Sequence, residues 1–231
     1  MTRIRNDIPK LQLVTDTSRY QEYEYRNANA ACTSAYLLNE LAVLFGDLSP
    51  KTRVLDVGCG NGFLAGWFLR KGCRVVGIDL SHGGVGIARL TYPGCRFEVL
   101  PADENILENL EEPPFDIVVS TEVVEHVYAP RSFTRGCFTA LKPGGRLLCT
   151  TPYHGYLKNL VICLLNRFDD HFNPLWDGGH IKFWSKQTLS QLLVETGFTN
   201  LRFRGAARLP FLWKSMVVAA DKPSQNGHHI G

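Results

Sequence analysis

No uninterrupted apolar run in this chain is long enough to span a bilayer, and its first residues carry no apolar signal region. A membrane-embedded or exported protein is therefore not expected, and the chain reads as cytoplasmic. No Cys-x-x-Cys pair occurs among the 7 cysteines, which lie at 32, 59, 73, 95, 137, 149 and 163, mostly inside apolar segments. An odd count so placed excludes a disulfide framework and a zinc site, and it suits reduced, buried thiols. An excess of one charge is also missing. The formal net charge is +3 and basic residues are scattered, so no nucleic-acid partner is expected. Neither an internal repeat nor a low-complexity tract is visible. With 231 residues and an ordinary apolar fraction, the chain has room for one substantial core and one domain.

What is present is an alternation of short apolar runs and helical patterns. Residues 1–17 read as irregular, and 18–46 as a helical cap in which Leu37, Leu41, Leu44 and Phe45 recur at helical spacing before Gly46 to Pro50 ends it. Strands are predicted at 53–57, 74–79, 96–100, 115–120 and 146–151, with helices after the first four. The run Phe115 to Ser120 is continuously apolar, as a strand buried on both faces should be. Lys142-Pro143-Gly144-Gly145 should stop the helix over 130–141 and turn into strand five. This pattern predicts a parallel sheet with helices on both faces. Thr199 to Arg204 and Ser215 to Ala220 read as two further strands, joined by a loop too short for a helical crossover, so they should pair antiparallel. The tail over 221–231 reads as flexible.

The segment Val54-Leu55-Asp56-Val57-Gly58-Cys59-Gly60-Asn61-Gly62, with Arg74 to Asp79 behind it, carries the first chemical signal. Strand, glycine turn, helix and a second strand ending on a carboxylate make a nucleoside site. Glycines let backbone approach a ligand, and the carboxylate can accept both ribose hydroxyls. A dinucleotide fingerprint would place its last small residue where this chain has Phe63. The spacing, with Asp56 two residues ahead of the first glycine, instead resembles the first motif of class I S-adenosylmethionine (SAM)-dependent methyltransferases. The resemblance covers about residues 35–220. It implies an α/β, Rossmann-like doubly wound sheet of seven strands, mostly parallel, ending in an antiparallel hairpin. It further implies that Gly58 and Gly60 face the methionine part of SAM, Asp79 holds the ribose, and Asp56 places the methionine amine. Asp103, after strand three, is then the acceptor for the adenine amino group, and Thr121, at the end of strand four, joins the cofactor site.

The segment Ser120 to Val127 resembles that of the ubiquinone-biosynthesis O-methyltransferases. If helical, Glu122, Glu125 and His126 would share a face. Some relatives hold magnesium there, and these residues are the metal candidates. Magnesium rarely takes imidazole, however, and helix bracing is the favoured reading. Between strand five and the next helix, residues 152–184 form an insertion read as a substrate lid. Its apolar stretch 156–168 is the candidate for packing under the lid, for a dimer face, or for peripheral membrane contact. Its second half is rich in aromatics and histidines. A histidine of near-neutral pKa can take the proton of an attacking hydroxyl, so His180, beside Gly178 and Gly179, is the first candidate base and His154 the second. The expectation is methyl transfer to a small-molecule acceptor, at a hydroxyl oxygen of a phenol, quinone precursor, sugar or secondary metabolite. A non-catalytic SAM-binding partner subunit and a nicotinamide-dependent dehydrogenase are the alternatives. The oligomeric state is not legible.

Overall fold

In the computed structural model, residues 25, 27–29, 33–172, 174–176 and 179–224 are described. The expected irregular segment over 1–17 lies outside them, as do Gly178 and all but the first residues of the tail. The elements in chain order are α1 (Ser34–Phe45), β1 (Arg53–Val57), α2 (Phe63–Arg70), β2 (Arg74–Asp79), α3 (His82–Thr91), β3 (Arg96–Val99) and α4 (Ile106–Leu110). They continue with β4 (Phe115–Thr121), α5 (Pro130–Ala140), β5 (Leu141–Pro152), α6 (Tyr156–Leu164), α7 (Lys186–Thr196), β6 (Thr199–Ala206) and β7 (Ser215–Asp221).

Seven strands form one sheet in the order β3-β2-β1-β4-β5-β7-β6. The first five are parallel, while β7 runs antiparallel to both β5 and β6, as the short connection requires. Alternation along the strands divides the core into two layers. Leu55, Val57 and Val118 pack with Ile106 of α4, Phe133 of α5 and Leu189 of α7. Val54, Ile117 and Val119 pack on the other face with Leu41 of α1, Phe68 of α2 and Val85 of α3. Chain direction away from the sheet centre reverses between the neighbours β1 and β4. The crevice beyond their carboxyl ends is where doubly wound sheets bind ligands.

Local chemistry sets the element ends. Gly62, at φ 78°, opens α2 in a left-handed conformation that a side chain would oppose. Ser81 caps α3 by accepting the Gly84 amide, and Ser185 with Thr188 forms a reciprocal capping box on α7. Among the described residues α1 begins at Ser34, and most of the expected cap before it lies outside them; Asn27–Asn29 form a bend, with the Asn61 side-chain amide donating to the carbonyls of Asn27 and Asn29. One boundary differs from expectation. Strand five starts at Leu141 rather than 146. Leu141 already pairs with Phe115, and Lys142 to Gly145 bulge out before Arg146 pairs with Ile117.

Candidate active site

The first half of the site lies at the carboxyl ends of β1 and β2. Gly58 and Gly60 both have positive φ, 78° and 49°. A Cβ at Gly58 would strike Val123, and one at Gly60 would strike the Tyr25 ring, so both positions are restricted to glycine by space as well as by conformation. Asp79 organises the turn. Its Oδ2 accepts the Gly60 amide and its Oδ1 the Ser81 amide, each at 2.8 Å. Leu80 beside it is an exposed apolar side chain at the crevice wall. Asp56 points from β1 into the face covered by α2 and is 1% exposed. Neither of its carboxylate oxygens has a hydrogen-bond partner among the described residues. Burial, and then the charge of Asp79, push its pKa up to about 7 against a smaller opposing pull from the nearby Ala65 backbone amide. A buried carboxylate without a partner demands a cationic ligand or a proton. The ammonium and sulfonium of SAM meet that demand, and the glycine cradle leaves backbone room for it, so the residues fit the cofactor. Asp103 lies on the loop after β3, where its Oδ1 accepts the Asn105 amide at 2.9 Å. Thr121 ends β4 and lines a small cleft with Phe63 and Leu64 of α2 and Leu37 of α1.

The second half is built where β4, β5 and the insertion meet. Glu125 lies in a turn after β4. Its backbone carbonyl accepts the amides of both Ile181 and Lys182, at 2.9 and 3.0 Å, and the Trp184 indole donates to the Val124 carbonyl at 3.2 Å. These bonds pin the end of the insertion against the turn and bring His180 to it. His180 Nε2 stands 3.9 Å from Glu125 Oε1, and the rings of His180 and His126 are 4.8 Å apart. The Glu125 side chain is 1% exposed. One of its oxygens accepts from the Thr151 hydroxyl at 3.0 Å, and the other has no hydrogen-bond partner among the described residues. Burial, followed by the charge of Glu122, holds its carboxyl well above the usual range. His126 Nδ1 lies 3.1 Å from the Gly179 carbonyl, which can only accept, so that nitrogen carries the proton in this contact. Trp176 packs on both rings. His180 is lowered to about 4 by burial, then by His126 and Lys158. His154, at the end of β5 between the rings of Phe172 and Phe183, is lowered to about 4 by burial, then by Lys158. Both imidazoles are therefore neutral near pH 7, but they are weaker bases than the near-neutral histidine expected from the sequence.

The helical face that would have grouped Glu122 with Glu125 and His126 is not formed. Residues 122–127 form no helix: Glu122 has φ 54°, and the chain then turns with the His126 amide bonded to the Val123 carbonyl. The Glu122 side chain is directed elsewhere, accepting from the Thr150 hydroxyl at 2.8 Å and the Ser215 hydroxyl at 3.1 Å. Burial raises its pKa to about 7. The group whose ligand atoms do converge is Glu125, His126 and His180, all within 4.8 Å of one another. Two imidazoles and one carboxylate do not suit magnesium, which prefers oxygen ligands. The magnesium set read from sequence is not assembled. Sequence reasoning assigned no role to Thr150, Thr151, Lys158 or Ser215, which come from three other elements, nor to Tyr25 and Leu80 at the nucleoside end. The thiols also differ in part: Cys59, Cys73, Cys137 and Cys149 are buried and free, but Cys163 is exposed on α6. No helix among the described residues is long and apolar enough to cross a membrane.

Comparison with known proteins agrees with this geometry. The family described as "Methyltransferase domain" matches residues 24–202. A ubiquinone biosynthesis O-methyltransferase of Dinoroseobacter shibae is 39% identical over 179 residues, covering 74% of this chain and 71% of that protein. One from Alkalilimnicola ehrlichii is 38% identical over 116 residues, 49% of this chain and 47% of its own length. Among solved structures, a SAM-dependent methyltransferase from Archaeoglobus fulgidus shares the fold, with a TM-score of 0.61 and 17% identity over 82% of this chain and 93% of that one. The chain belongs to the methyltransferase domain family, as a class I SAM-dependent methyltransferase akin to the ubiquinone-biosynthesis O-methyltransferases.

Proposed function

We propose that the protein transfers the methyl group of SAM to a hydroxyl oxygen of a small, partly apolar molecule, with a phenol or quinone precursor as the favoured acceptor. The observation that carries this reading is the neutral, half-buried His180, set beside an unsatisfied Glu125 oxygen at the β4 and β5 ends of the cofactor crevice. The O-methyltransferase names of the relatives support the same reading. When bound, SAM supplies an electrophilic methyl on a sulfonium. Gly58 and Gly60 admit its amino-acid end, Asp56 faces its ammonium, Asp79 holds the ribose and Asp103 the adenine. His180 accepts the hydroxyl proton, and the unpartnered Glu125 oxygen, 3.9 Å away, faces the imidazolium that forms. Trp176, Phe172 and Phe183 wall the acceptor, and His154 lies within reach as a second proton acceptor. The exposed side chains of Tyr156, Leu157, Leu160 and Leu164 on α6 support peripheral contact with a membrane surface, read out by co-sedimentation with vesicles.

The test is His180→Ala. It should leave SAM affinity near wild type and lower turnover roughly a hundredfold at neutral pH. Because burial lowers His180 to about 4, its free base is present throughout the neutral range, and wild-type turnover at saturating SAM should stay flat from about pH 5.5 to 8. The defect should shrink as pH approaches about 10, where a phenolic acceptor ionises unaided. Unchanged turnover at neutral pH would remove His180 as the base and leave His154 to be tested. A collapse of SAM binding would place the insertion in the cofactor pocket.

A further inference from the structure

A cavity among the described residues lies outside the crevice just described. It has a volume of about 380 Å³, within the range of small-molecule pockets, and is lined by Lys158, Val161 and Ile162 of α6 and by Arg208, Leu209 and Leu212 of the β6–β7 connection. Four of the lining side chains are aliphatic, and among the described residues the charged groups lining it are two cations. Lys158 is the unusual one, since a lysine 6% exposed is rare without strong partners. Its ammonium donates to the backbone carbonyls of Tyr153, at 2.8 Å, and Lys214, at 3.2 Å. Of its three N–H donors, one has no partner among the described residues. Arg208 is exposed and takes part in no ion pair among the described residues. It sits at φ 62° in a loop that also holds Ala207 at 56° and Phe211 at 66°. Three non-glycine residues in the left-handed region store strain of the kind found around ligand clamps. Burial, and then the neighbouring Arg208 charge, lower Lys158 to about 8. Glu122 opposes that shift but is held by Thr150 and Ser215 rather than lining the cavity.

An apolar chamber with an unused ammonium N–H inside and a free guanidinium at its rim matches one ligand chemistry, a short apolar chain ending in a carboxylate. We propose that this cavity binds an amphiphilic monocarboxylate, its head between Lys158 and Arg208 and its chain along Val161, Ile162, Leu209 and Leu212. The site does not depend on methyl transfer. Lys158 nevertheless also lowers His154 and His180, so its ammonium is within electrostatic reach of the proposed acceptor site. Its occupant is either an acid-bearing arm of the acceptor or a separate amphiphile.

The experiment is calorimetric titration of the full chain with octanoate, octanol and octyltrimethylammonium below their micellar concentrations. Octanoate should bind at least about tenfold more tightly than octanol, since a charge-assisted pair distinguishes them, and the ammonium should not bind. Arg208→Gln and Leu209→Glu change exposed side chains and should fold normally. The first should remove most of the preference for octanoate over octanol, and the second should weaken octanoate at least about fivefold by placing an anion at the rim. Octanol binding as tightly as octanoate, octanoate indifferent to both substitutions, or no binding of either would overturn the proposal. SAM titration of the same samples is read separately, so failure of the cavity and failure of the methyltransferase reading are distinguishable. Competition between octanoate and the acceptor in turnover identifies the acceptor's own arm, and its absence identifies a separate ligand. Both results require the occupied site.

Discussion

At the scale of the residue, Asp56 carries the sharpest demand in the molecule. Its carboxyl is fully buried, lacks a hydrogen-bond partner among the described residues and is raised to about 7 in the ligand-free protein. A carboxylate raised in the folded state contributes stability that is present below its unfolded pKa and is lost as pH rises through the folded value. A cationic ligand reverses this by favouring the ionised form. SAM binding should therefore release a proton near neutral pH, and affinity should rise by up to about tenfold per pH unit until it levels off above pH 7. Calorimetry in buffers of different ionisation enthalpy reads the released proton, and Asp56→Asn should abolish both the release and the pH slope. A pH-independent affinity in the wild type would place the ammonium elsewhere. The same scale decides the metal. Because Glu122 is committed to Thr150 and Ser215, treatment with a chelator followed by magnesium should leave turnover unchanged. Loss on chelation with recovery on magnesium would require Glu122 to leave its hydroxyl partners.

At the scale of the element, the glycine turn, the β4 turn and the insertion form one joint. Val123 closes on Gly58, and the Glu125 carbonyl holds the insertion through Ile181 and Lys182. Beneath that joint α2 is anchored by Phe68, which is 0% exposed and packs edge-on against Phe45 at 4.6 Å and Trp67 at 5.1 Å. Phe68→Ala should cost about 3–5 kcal/mol by urea unfolding with little change in the denaturant slope. A cost under about 1 kcal/mol would mean that α2 repacks freely. The sequence revealed these elements unevenly, for a physical reason. Strands β1, β2 and β4 are runs of Val, Ile and Leu bounded by glycine, proline or charge, so their limits were readable from local pattern. Asp56, Gly58, Gly60 and Asp79 were readable because one strand–turn–helix unit holds them all. The turn after β4 was misread because Glu122 is fixed by Thr150 and Ser215, residues 28 and 93 positions away. No periodicity over ten residues carries that information. His180 was legible as a histidine in an insertion, but its placement beside Glu125 and His126 depends on backbone bonds between segments more than fifty residues apart.

At the scale of the whole molecule, the strand order puts the reversal between β1 and β4, and the chemistry gathers there. On one side the glycine cradle and two carboxylates suit a cationic nucleoside cofactor. On the other, neutral histidines, an unsatisfied carboxyl oxygen and aromatic walls suit a hydroxyl that must lose a proton. The β5–β7–β6 end of the sheet contributes Thr150, Thr151 and Ser215 to that second half, so the antiparallel hairpin is part of the site as well as an edge to the sheet. The account's central claim is that the two halves work together, one presenting a methyl group and the other an acceptor oxygen. It is tested most directly by mass spectrometry of products formed from methyl-labelled SAM and a panel of hydroxylated, aminated and carboxylated small molecules. The predicted result is one labelled methyl on the oxygen of a phenol-like acceptor, at a rate lowered roughly a hundredfold by His180→Ala. Transfer to nitrogen with no transfer to oxygen, or SAM binding without transfer to any acceptor, would contradict it.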